Sequence, residues 1–258
     1  MSSQPKRFGE IFSVTWAFFR ANMQPILIGA IVFAIVVGVL QFPAAAYRTG
    51  DTPNAWSVLL SLIATIITLV SYVYYLLIAT KKKIEVGSLF QEALQRCVPF
   101  IGLSIWVLLR TFSWIAIIGF ILLGVGNAMH NDLLLPIGML LSLVGIVCAI
   151  VLGPRYACAP AVWAMENKGV FASANRSMEV TRGYWGKVLG NIILLSVLCS
   201  IVIAVIGAIL SPLSLVSAPA LDVVIGFLSQ LYQAFFSIFL VQLTLTLTAN
   251  PRAKTAKA

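Results

Sequence analysis

Charge is scarce in this 258-residue chain: 8 residues are acidic, 17 are basic and one is histidine. With so few carboxylates, paired intramembrane acids of the kind used for proton or sodium coupling cannot be assembled. Nor can a Ser-His-Asp set or a phosphate-cradling glycine loop. His130, the lone histidine, sits beside Asn131 and Asp132 and reads as a solvated loop residue, because ligation or general-base work needs partners. Cysteine is also sparse. Cys97, Cys148, Cys158 and Cys199 show no CxxC spacing and lie in or beside apolar runs, which argues against a disulfide framework and a zinc site. No catalytic residue, metal or cofactor is expected, and an enzyme is disfavoured.

What the chain has instead is apolar residues, which make up 60% of it at a mean hydropathy of +1.01. Crossing a hydrocarbon layer takes about 20 apolar residues as a helix, with the polar backbone satisfied inside the segment. Six runs qualify, at 26–46, 57–79, 100–125, 133–163, 187–210 and 222–248. The fourth should kink near Gly153-Pro154, because proline removes a backbone donor and clashes with the preceding turn. The expected fold class is therefore an all-α integral membrane protein with six transmembrane helices.

The net charge of +9 fits the same reading and implies no nucleic-acid partner, because the basic residues are scattered between apolar runs rather than gathered on one face. Lysine and arginine accumulate on the cytoplasmic side of short loops. Lys6, Arg7 and Arg20 precede the first run, and Lys81, Lys82, Lys83 and Arg96 lie between the second and third. Arg155, Lys168, Arg176, Arg182 and Lys187 surround the fourth-to-fifth connection, and Arg252, Lys254 and Lys257 close the chain. Fifteen of the 17 basic residues thus fall on one side, leaving Arg48 opposite and Arg110 inside a run. The alternation predicts both termini on the cytoplasmic side of the membrane. The start of the chain imitates a secretory signal ending at Ala44, Ala45 and Ala46, but its basic region is too long, and cleavage is not expected.

An internal repeat organises the six runs. Gly9-Glu10-Ile11-Phe12, Gly87-Ser88-Leu89-Phe90 and Gly169-Val170-Phe171 each open an amphipathic stretch before an odd-numbered span, with the glycines 78 and 82 residues apart. Phe8, Ile11, Phe12, Thr15, Trp16 and Phe19 recur at helical spacing in the first. The chain reads as a single membrane domain over 1–258. It comprises three repeats of interfacial helix plus helical hairpin, at 7–80, 86–165 and 169–249, followed by a basic tail at 250–258. The amphipathic helices either lie in the headgroup layer or cap the bundle.

The stretch Arg155-Tyr156-Ala157-Cys158-Ala159-Pro160-Ala161-Val162-Trp163-Ala164-Met165-Glu166, with Gly169-Val170-Phe171, Arg176-Ser177 and Thr181-Arg182-Gly183-Tyr184-Trp185, resembles a bacterial six-span inner-membrane family related to the membrane domain of glycerophosphodiester phosphodiesterases. Asn167 stands where glycine is common in that family, and Met178 where an aromatic is common. The resemblance implies a helical membrane module only, since the phosphodiesterase activity belongs to a separate soluble domain.

Three sets of polar residues stand out. Arg110 is flanked by about ten apolar positions on each side, which places it near mid-membrane and demands a partner or water. Gln230 and Gln233 lie at comparable depth and could accept from it as an interhelical clamp; the functional alternative is an anion or lipid-phosphate contact in a cavity. Arg155, Glu166, Arg176, Glu179 and Arg182 form a second set, with Glu179 three residues from both Arg176 and Arg182. An ion-pair network is preferred there to a phosphate site. Tyr72, Tyr74 and Tyr75 read as an interfacial anchor, and Lys81 to Lys83 as an attraction for anionic lipid. Gly145, Ala149 and Gly153, and Gly186 with Gly190, read as faces for close helix approach.

The functional expectation is a non-enzymatic membrane protein that organises lipid, anionic lipid among the candidates, or partner proteins at the cytoplasmic membrane. The alternative is a transporter or channel for a small or lipidic anionic solute with Arg110 in a central cavity.

Overall fold

The structure, a computed structural model, describes residues 6–46, 55–81, 84–129, 133–210 and 218–249. His130, Asn131, Asp132, Arg48, Lys82, Lys83 and the basic tail lie outside the described residues. Nine helices account for most of what is described: α1 (Phe8–Ala21), α2 (Met23–Ala46), α3 (Ala55–Thr80), α4 (Val86–Ala128), α5 (Leu134–Tyr156), α6 (Ala159–Glu166), α7 (Val170–Thr181), α8 (Trp185–Leu210) and α9 (Ala218–Thr248). No strand occurs among these residues.

Six segments are long and apolar enough to cross a membrane: Met23–Gln41, Ala55–Thr80, Val86–Phe112, Leu134–Glu166, Trp185–Leu210 and Val223–Thr248. Their exposed surface is what a lipid-facing helix requires. On α8, Ile193, Val197, Ile201, Val205 and Ile209 repeat every four residues and are all exposed. In water such a stripe would be a large unburied apolar patch; against acyl chains it costs nothing.

The described chain forms two compact units. One comprises residues 4–98 and 190–246; the other comprises 99–189 with short pieces of both termini. In the first unit, α1 buries Ile11, Thr15 and Phe19, an i, i+4, i+8 stripe. Its aromatic residues meet α9. Phe8 lies 5.8 Å from Phe239, and Phe12, Trp16 and Phe19 lie 5.4, 6.3 and 5.7 Å from Phe235. A break at Asn22, whose side-chain amide donates to Phe18 O, separates α1 from α2.

The tyrosines of α3 depart from expectation. Tyr74 and Tyr75 are fully buried, not interfacial. The Tyr74 hydroxyl donates to Pro25 O at 2.9 Å, and the Tyr75 hydroxyl to Gln230 Oε1 at 3.4 Å. Gly29 makes room for the first of them, since a Cβ there would overlap the Tyr74 ring. A buried phenol needs a partner for its O–H, and here α2 and α9 supply one each.

The second amphipathic stretch is not a separate helix either. It runs through Pro99 into the third span as one helix of 43 residues, about 65 Å long at 1.5 Å per residue. No glycine or asparagine breaks the chain between Gly87 and the span, whereas Asn22 and Gly183 do so for the other two stretches. On its first turns, Glu92 pairs with Lys81 and, at 3.0 Å, with Arg96.

In the second unit, α4 and α5 approach backbone to backbone. A Cβ on Gly119 would lie 2.6 Å from Ser142 N, and one on Gly138 would lie 2.8 Å from Leu123 N. Of the small residues singled out from the sequence, Gly145 is buried, Gly153 makes an ordinary contact with Thr111, and Gly186 and Gly190 face open space.

Candidate polar cluster between α5, α7 and α8

The break expected near Pro154 comes two residues later, where α5 ends at Tyr156 and α6 begins at Ala159. Pro154 has no N–H to give, and a helix end leaves its last carbonyls without intrahelical donors. Side chains from the following elements donate to carbonyls near this end of α5. Ser177 Oγ donates to Arg155 O at 2.8 Å and Thr181 Oγ1 to the same oxygen at 3.2 Å, while the Trp185 indole N–H donates to Val151 O at 2.8 Å. Ser173, Ala174, Ser177, Val180 and Thr181 form the buried face of α7, a row of small residues that lets it lie close on its support.

Asn167 ends α6 in the left-handed region, at φ 48°, and its N–H donates to Trp163 O. Asparagine tolerates that conformation, and glycine tolerates it better. Gly183, at φ 80°, turns the chain from α7 into α8.

These turns sort the charged residues into two groups. Glu166 pairs with Lys168 and, at 3.4 Å, with Arg176; Arg176 also binds Glu179 at 2.8 Å. The hydrogen bond with Glu179 is the largest influence holding the Arg176 guanidinium above its ordinary value, against partial burial and with help from Glu166. Glu166 therefore does reach Arg176 through tertiary folding. Glu179 pairs with only one of its two expected partners. Arg182 is the C-cap of α7, with ψ 124°, so its backbone has left the helix and the three-residue spacing no longer sets it beside Glu179.

Arg155 and Arg182 are left over. Both are exposed, and neither forms an ion pair among the described residues. They line a cleft of about 260 Å³ together with Met178, Thr181, Gly183 and Trp185. The first turn of α8 opens at the same place, with N–H groups that have no preceding helical carbonyl to bind.

Arg110 is exposed on α4, and its guanidinium carbon lies 4.6 Å from the centroid of the Trp106 ring one turn earlier. Trp106 in turn meets Phe171 of α7 edge-on, with centroids 4.7 Å apart. Side chains on a helix lean toward its N-terminus, so Arg110 reaches back toward the level at which α7 crosses α4. The partners of the two glutamines are on α3. Gln230 accepts from Tyr75; Gln233 Oε1 accepts from Ser71 Oγ at 3.1 Å, and its Nε2 donates to Thr68 O at 3.2 Å.

No metal-binding group of three or more His, Cys, Asp or Glu side chains occurs among the described residues. Comparison with protein-family models, with curated proteins and with solved structures finds no match. The class that the helices define is a multi-pass helical membrane protein.

Proposed function

We propose that this chain is a non-catalytic protein of the bacterial cytoplasmic membrane that holds anionic lipid at the cytoplasmic face. In this reading both termini are cytoplasmic, the three repeats each contribute one helical hairpin, and α1 and α7 lie in the headgroup layer. The observation that carries it is the one-sided packing of those two helices. Each buries a single face, and each leaves a large aromatic residue flanking that face partly exposed, Trp16 at 47% beside Phe235 and Phe171 at 61% beside Trp106. Charged residues flank both: Arg7, Glu10 and Arg20 on α1, and Arg155, Lys168 and Arg182 around α7. An apolar body with basic neighbours suits the boundary between headgroups and acyl chains, where an aromatic ring is half-wet and each basic residue near an anionic surface contributes about 1 kcal/mol.

The resemblance of residues 155–185 to the six-span inner-membrane family supports the same assignment. The transport alternative would place Arg110 in a central cavity.

Topology reporters test the reading. Fusions after Gly50, Asn131 and Ser214 should report export, and fusions after Lys82, Asn167 and the C-terminus should report the cytoplasm. A spin label replacing Phe171, with the four cysteines changed to serine, should sit at headgroup depth by its accessibility to oxygen and to a water-soluble nickel chelate. Cytoplasmic signals from the Gly50 and Ser214 fusions, or a label fully in bulk water, would refute it.

A further inference from the structure

We propose that the cleft between the ends of α5, α7 and α8 is a binding site for a phosphate ester, in the first instance the phosphodiester of an anionic phospholipid headgroup. The proposal rests on the reading that this end of the chain faces the cytoplasmic leaflet, and it names the ligand of that face.

Three independent features converge on the cleft. The first is cationic. Around α6 and α7, Lys168 and Arg176 are both matched by Glu166 or Glu179, whereas Arg155 and Arg182 line the cleft with no ion-pair partner among the described residues. A planar guanidinium presents paired donors that fit two oxygens of one phosphate, and two such groups around one cleft can take all its free oxygens.

The second is the backbone. The positive end of α8 opens at the cleft, and Gly183, at φ 80°, brings the chain there through a turn where an added Cβ would meet no other atom. A helix N-terminus with free N–H groups favours an anion, here alongside two arginines rather than alone.

The third is size and lining. About 260 Å³ is room for roughly nine water-sized groups, which accommodates a phosphate with a glycerol attached and is small for a nucleotide. Met178 and the Trp185 ring give one side an apolar wall, suited to the glycerol and the start of an acyl chain. The indole N–H of Trp185 donates to Val151 O, and the hydroxyl of Thr181 is shared between Ser177 O at 2.9 Å and Arg155 O at 3.2 Å, so they hold the walls in place and leave recognition to the arginines.

The test uses the purified full chain in a zwitterionic detergent, where its orientation in a membrane plays no part. Failure of this proposal is thereby distinguishable from failure of the topology. Short-chain phosphatidylglycerol, short-chain phosphatidylcholine and free glycerol 3-phosphate are titrated in parallel, with binding read by native mass spectrometry. Arg155→Gln with Arg182→Gln should weaken phosphatidylglycerol binding at least tenfold. The tail variant Lys254→Gln with Lys257→Gln, which removes the same charge, should bind as the parent does. Arg155→Lys with Arg182→Lys keeps the charge but loses the fork, and should fall between; it also serves if the glutamine pair does not fold. Tight binding of phosphatidylglycerol alone identifies the lipid as the source. Comparable binding of glycerol 3-phosphate supports the same phosphate site with a soluble source. Equal affinity of the cleft and tail variants, or no binding of either phosphate ester, overturns the proposal.

Discussion

The hydroxyl of Ser177 donates to the backbone carbonyl of Arg155 at 2.8 Å, across 22 residues of sequence. Thr181 donates to the same oxygen from one turn further along α7. The pair fastens α7 to the end of α5, and by doing so it sets the arginines of the cleft, which sit on different elements, around a common space.

Removing those hydroxyls should loosen α7 specifically. Ser177→Ala should cost about 1 kcal/mol, the usual net value of one such hydrogen bond, and adding Thr181→Val should cost more because the carbonyl then loses both donors. Hydrogen exchange should rise on the backbone of α7 while α2 and α3 keep their protection. Unchanged exchange in α7 in the double variant would mean that the helix is held by other contacts.

A contrast between glycines tests the α4–α5 contact. Gly119→Ala would drive a methyl to within 2.6 Å of Ser142 N, and backbone there cannot step aside as a flexible side chain would. The expected loss is about 1–3 kcal/mol in thermal or denaturant unfolding in mild detergent. Gly186→Ala and Gly190→Ala meet open space inside α8, so they should be neutral or stabilising by up to about 1 kcal/mol. Equal effects at Gly119 and Gly186 would contradict the packing described.

The buried pair on α3 and α9 offers a third measurement. Tyr75→Phe removes the donor to Gln230, which is only 5% exposed, and should cost about 1–3 kcal/mol because a buried acceptor is left without that partner. Adding Gln230→Met should recover part of the loss, since neither partner is then polar. A double variant less stable than the sum of the two single ones would show that Gln230 matters for a different contact.

Much of the fold was legible in the chain. Five of the six apolar runs each lie within one long helix, and the fourth is divided between α5 and α6, because a hydrocarbon crossing leaves few alternatives to about 20 apolar residues with an internally bonded backbone. The breaks at Asn22, just after Pro154 and at Gly183 are equally local in cause. The partners were less legible. Glu179 and Arg182 have the spacing of a helical pair, yet the helix ends at Thr181 and the pair does not form. Tyr74 and Tyr75 have the look of an interfacial anchor, yet hydrogen bonds from Tyr74 to Pro25 and from Tyr75 to Gln230, spanning 49 and 155 residues, hold them inside.

By itself, then, the sequence determined that this is a helical protein with six segments able to cross a membrane, because length and apolar content are summed along the chain and need no neighbours. The tertiary structure decided which polar groups are spent and which are free. Gln230 and Gln233 are committed to α3, and Glu166, Arg176 and Glu179 to one another, while Arg155 and Arg182 line a common cleft with no acidic partner among the described residues. That division follows from which helix ends meet, and helix ends meet through glycine turns, a proline and hydroxyl-to-carbonyl bonds whose partners lie too far apart in the chain for periodicity to record.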